Sequence, residues 1–88
     1  MNGALDTGEN RLLFLLELIL VNENGHGEIT YDSLTIDDVK EILSKQNIGW
    51  NEINKNRIVG RDYDTNIYLE LFKERGSDKV TLILQKRN

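Results

Sequence analysis

The chain has no cysteine and no proline among its 88 residues. Without cysteine there is no disulfide framework, no thiolate zinc site and no cysteine nucleophile. A chain with no thiols to protect suits a reducing compartment, and a cytoplasmic protein is expected. Histidine is nearly absent: His26 is the only one, set between Gly25 and Gly27. A lone imidazole makes no metal site, and no Ser–His–Asp arrangement can be read from the spacing. Long hydrophobic runs are missing too. The longest, Leu12 to Val21, spans ten residues, nine of them apolar. As a helix it would reach ~15 Å, against about 30 Å of bilayer hydrocarbon, and Glu17 interrupts it. No membrane association is expected. No basic segment precedes the run, so it does not read as a secretory signal.

What is present is ordinary globular material. With 39% hydrophobic and 30% charged residues, the composition is that of a folded domain. One domain over 1–88 is expected, with residues 1–6 disordered. The net charge of −4 hides an asymmetry. Residues 1–54 hold three basic and ten acidic groups, a net of −7; residues 55–88 hold eight basic and five acidic, a net of +3. An acidic protein can therefore present a basic face built from its C-terminal part.

Local patterns place the elements. Asp6 and Glu9 have capping-box spacing ahead of a helix running to about Glu23. On that helix Leu12, Leu15, Leu16, Ile19 and Leu20 share the core face. Phe14, Leu18 and Val21, spaced by four and three, form a second apolar stripe, which packs on another element or on a partner chain. Glu28 to Tyr31 is β-prone. Thr35 caps a second helix, with Ile36, Val39, Ile42 and Leu43 at helical period and a stop near Gln46 or Asn47. Residues 50–56 are assigned to a short third helix from the spacing of Trp50 and Ile53, although Arg57 to Arg61 could equally start a strand. Asn66 to Glu74 and Lys79 to Gln85 alternate around a loop at Arg75 to Asp78, which predicts a C-terminal β-hairpin.

Two loops invite a metal reading. Asn22 to Leu34 resembles an EF-hand loop, with Gly27 at the sharp turn and Ile29 at the central apolar position. Its ligands are wrong, because Asn22, Asn24 and His26 stand where carboxylates belong and Ser33 replaces the bidentate Glu. Asp62 to Asn66 alternates oxygen side chains but lacks the Gly and the closing Glu. It reads as a turn before the hairpin. Asp37 and Asp38 are explained by the helix start. No metal, no cofactor and no enzyme activity are expected.

The order of these elements is that of winged-helix domains, so the expected fold is α+β and winged-helix-like. Two to three helices would pack on a small antiparallel sheet ending in the hairpin. The best-supported function is a non-catalytic protein-interaction module, an adaptor or inhibitor, using Phe14, Leu18 and Val21 toward a protein partner or a second copy. The alternative is a nucleic-acid-binding regulator of double-stranded DNA. In that case Asn47 to Gly49 would be the turn of a helix-turn-helix, with Ile42, Ile48 and Ile53 at its apolar positions. Asn51, Asn54, Lys55, Arg57 and Arg61 would read bases and phosphates, and Lys73, Arg75 and Lys79 would hold phosphate from the hairpin tip.

Overall fold

The structure, a computed structural model, describes residues 3–62 and 64–87, with the backbone alone at 3–5. It is an α+β fold of two helices and five strands: α1 (Gly3–Leu20), β1 (His26–Tyr31), α2 (Ile36–Lys45), β2 (Gly49–Asn54), β3 (Arg57–Asp62), β4 (Ile67–Lys73) and β5 (Val80–Lys86). The strands form one antiparallel sheet in the order β1-β5-β4-β3-β2. Three successive hairpins build one side of it. The first strand joins at the far edge, beside the last.

Both helices cover one face of the sheet. Leu12 and Ile19 of α1 and Val39, Ile42 and Leu43 of α2 are buried there. They meet Ile67, Leu69 and Leu71 of β4 and Val80, Leu82 and Leu84 of β5, as the alternation of the C-terminal hairpin predicts. Leu15 and Leu16 pack at the rim of this core, whereas Leu20, expected within it, is exposed.

Helix boundaries follow from where backbone groups are satisfied. Thr35 caps α2 with a full box: its hydroxyl accepts from the Asp38 amide at 3.1 Å, and Asp38 accepts from the Thr35 amide at 2.9 Å. The helix ends at Lys45, and Asn47 then takes the left-handed conformation at φ 58°. Helix α1 departs from expectation at both ends. It starts at Gly3, so Asp6 lies inside the first turns instead of capping them. Of residues 1–6, for which disorder is expected, residues 1–2 lie outside the described residues. At the other end α1 stops at Leu20, short of Glu23, because the Asn22 side-chain amide donates to Leu18 O at 2.7 Å and ends the ladder.

The larger correction concerns residues 50–56, which form β2 and a turn instead of a third helix. Asn54 Oδ1 accepts from the Asn56 amide at 2.8 Å, closing an Asx turn that folds β2 back on β3. Trp50 packs on the core beneath Lys40, whereas Ile53, expected at an inner position of a helix-turn-helix, is 55% exposed at a β-bulge. No helix follows α2 among the described residues, so the helix-turn-helix is not formed.

Candidate functional site

Two surfaces are left open, on opposite sides of the core. The first is the outer face of α1. Phe14, Leu18 and Val21 are 65%, 46% and 81% exposed, and Leu13 and Leu20 extend the apolar area. At helical spacing, Leu12 and Ile19 turn into the core and carry the other stripe to solvent. Glu17 lies between the Phe14–Leu18–Val21 stripe and the Leu13–Leu20 pair. The two helices together carry six carboxylates and three cations, so this apolar patch sits in an acidic layer.

The second surface is the bare face of the sheet. Pairing register lines its outward residues up in rows across the strands. One row runs Arg61, Tyr68, Gln85, His26; the next runs Asn51, Val59, Glu70, Ile83, Glu28; a third runs Arg57, Phe72, Thr81, Thr30. Tyr68 is flanked by two guanidinium groups, Arg61 at 4.9 Å from the ring centroid and Arg87 at 4.7 Å. Arg61 also donates to Asn66 Oδ1 at 2.6 Å, and Asn66 in turn donates to Arg87 O. Arg57 holds Glu70 at 2.5 Å. Over the first two rows the surface sinks into an open groove of ≈ 690 Å³, walled by Gly49, Trp50 and Asn51 of β2. Gly60 lets β2 come this close: a Cβ there would fall 2.3 Å from Gly49 O.

The structure divides the residues once grouped on a reading helix. Asn51, Arg57 and Arg61 reach the bare face, because odd positions of β2 and β3 point outward. Asn54 and Lys55 belong to the β2–β3 turn. Lys73 ends β4, Arg75 is exposed in the β4–β5 turn, and Lys79 lies 4.0 Å from Asp32. Lys55 and Lys73 share a depression with Asp32, Asp37 and Asp78, so that end of the molecule mixes both signs. Sequence reasoning missed Tyr68, Gln85 and Arg87. The signal was in the hairpin: Thr81, Ile83, Gln85 and Arg87 are the outward partners of Val80, Leu82 and Leu84.

The two metal-like loops have structural roles. Asp62 accepts from the Asp64 amide at 3.1 Å and from the Thr65 hydroxyl at 2.9 Å, closing the turn into β4. His26 opens β1 and lies 3.4 Å from Asn24 O. Among the described residues no group of three or more His, Cys, Asp or Glu is placed to hold a metal ion. No helix among them is long and apolar enough to cross a membrane. No protein-family model, curated protein or solved structure matches the chain.

Proposed function

We propose that the protein is a non-catalytic interaction module of the cytoplasm that docks a protein partner on the outer face of α1. The observation that carries this reading is the exposure of Phe14 and Leu18 on α1 and of Val21 just past its end, while Leu12 and Ile19 on the opposite side are buried in the core. Leaving three large apolar side chains in water forgoes about 1.5–3 kcal/mol for each that a partner could bury. The scaffold is read as winged-helix-like: α1, β1, α2 and the β4–β5 hairpin keep that order, with β1 beside β5. The β2–β3 hairpin takes the place of the third helix.

Charge favours a different chain over a second copy. A two-fold axis through the middle of the stripe would bring the two Glu17 carboxylates together, which costs affinity. An amphipathic segment with an apolar ridge and a lysine or arginine would instead meet Glu17 with opposite charge. The test is an amide NMR titration with a 14-residue leucine–lysine amphipathic peptide and its leucine–glutamate analogue. The cationic peptide should shift residues 10–22 and the acidic one should not, and Phe14→Glu should abolish the shifts. A concentration-dependent dimer removed by Phe14→Glu would reassign the stripe to a second copy. A stripe that engages neither peptide nor a second copy would remove the reading.

A further inference from the structure

We propose that the bare face of the sheet is a separate binding site for single-stranded nucleic acid, centred on Arg61, Tyr68 and Arg87. It is independent of α1, since the core lies between the two faces.

Three observations on this face converge. The first is the alternation of flat groups. Tyr68 and Phe72 project from one strand, four residues apart, and each has an arginine directly across in β3: Arg61 opposite Tyr68, Arg57 opposite Phe72. At roughly 3.3 Å per residue the two rings stand about 13 Å apart along β4. Arg87 adds a further guanidinium beside Tyr68. Aromatic rings and guanidinium planes are the surfaces on which unpaired bases stack, and the same guanidinium edges hold phosphate.

The second observation is polarity. Asn51 and Gln85 line the groove with amides, each both donor and acceptor. Base edges offer both kinds of group, whereas the carboxylates of an acidic peptide only accept. Val59 and Ile83 lie on either side of Glu70 as apolar floor, which suits a base face. The groove volume is in the range of a nucleotide-sized ligand.

The third is the placement of charge. The bare face carries Arg57, Arg61 and Arg87 against Glu28 and Glu70, and Glu70 is held by Arg57. Most of the acid that makes the protein −4 overall lies elsewhere, much of it in the helix layer behind the core. At physiological salt the screening length is ~8 Å, so the near face dominates what a bound strand feels. A duplex fits less well, because its stacked bases are closed to the rings and no helix among the described residues lies on this face.

The test uses four fluorescein-labelled probes: a twelve-nucleotide single-stranded RNA, the same sequence as single-stranded DNA, its DNA duplex, and a twelve-residue polyglutamate. Anisotropy is followed at low and moderate salt. Either single strand, or both, should bind with an affinity that falls as salt rises, the duplex and polyglutamate more weakly. Amide shifts should centre on residues 59–61, 68–72 and 83–87. Tyr68→Ala should weaken binding about 5- to 150-fold. The exposed Arg87→Ala should weaken it without changing the fold, and Arg87→Lys should restore part of the loss by returning charge without the planar fork. Phe14→Glu should leave it unchanged, so failure here is distinct from failure at α1. Polyglutamate binding as tightly as the strands, tighter duplex binding, shifts confined to residues 55 and 73–79, or no binding at low salt would each overturn the proposal.

Discussion

Tyr31 shows how one side chain can join layers and leave a record in pH. Its ring is buried between α1 and β1, and its hydroxyl donates to Gly8 O at 3.1 Å. Burial pushes the phenol up to about 12 from an ordinary 10.0, and the Arg11 guanidinium, 5.3 Å over the ring, pulls it partly back. Below pH 10 the phenol is protonated in both folded and unfolded chains, and its contribution to stability is complete. From pH 10 to 12 the unfolded chain ionises while the folded one does not, so stability falls; by pH 12 the folded phenol ionises too. Thermal denaturation between pH 9 and 12 should show this alkaline loss, and Tyr31→Phe should flatten it. At neutral pH the same variant should cost about 0.5–1.5 kcal/mol, because Gly8 O loses its donor. An unchanged alkaline slope in the variant would show that the loss comes from other groups. At this scale the sequence was only partly legible. Ile29 and Tyr31 alternate inward, which is visible, but the Tyr31 bond to a carbonyl 23 residues earlier is not.

At the level of elements, legibility followed how local the determinants are. Helix α2 was readable because its cap, its apolar period and its C-terminal Asn47 lie within thirteen residues of chain. Thr35→Ala removes the hydroxyl arm of the capping box, leaving the amide of residue 35 to donate to Asp38, and should cost about 1 kcal/mol in chemical denaturation, whereas Thr35→Ser should cost little. The C-terminal hairpin was readable for the same reason of local alternation. Residues 50–60 were not, because their fate depends on a neighbour far along the chain. Strand β3 is held on its other side by β4, with Ile58 opposite Leu71, and only that docking gives β2 a ladder to join. The local signal was the Asn54 to Asn56 turn, which helical spacing at Trp50 and Ile53 outweighed. Lys40 then locks β2 to α2, bonding Glu52 at 2.8 Å and covering Trp50 at 4.9 Å. Gly60 tests this junction directly. Gly60→Ala puts a methyl 2.3 Å from a carbonyl oxygen that cannot rotate away. It should destabilise the protein by about 1–3 kcal/mol. Hydrogen exchange should then show β2 amides opening first, while β4 and β5 stay protected. Uniform loss of protection would mean that the hairpin is not a separable unit.

For the whole molecule, the sheet divides two chemistries that a chain of net charge −4 would not otherwise separate. One side is helical, acidic and apolar; the other is a strand surface rich in arginine and aromatic rings. The charge asymmetry along the chain foreshadowed this, since most acidic groups precede residue 55. It did not assign the faces, because side is set by alternation within β2 to β5 and not by position along the chain. Thus Arg57 and Arg61 reach the bare face while Lys55, beside them in sequence, falls in a turn. Two faces with a packed core between them should be thermodynamically independent. Phe14→Ser and Arg87→Ala both alter exposed side chains, one on the outer face of α1 and one on the bare face of the sheet. Each should change stability by no more than about 0.5 kcal/mol, and the double variant should equal their sum within the same margin. Equilibrium urea unfolding of the four proteins in this cycle measures it. A coupling well beyond that margin would mean that α1 and the bare face communicate through the core, and a ligand on one would then alter affinity on the other.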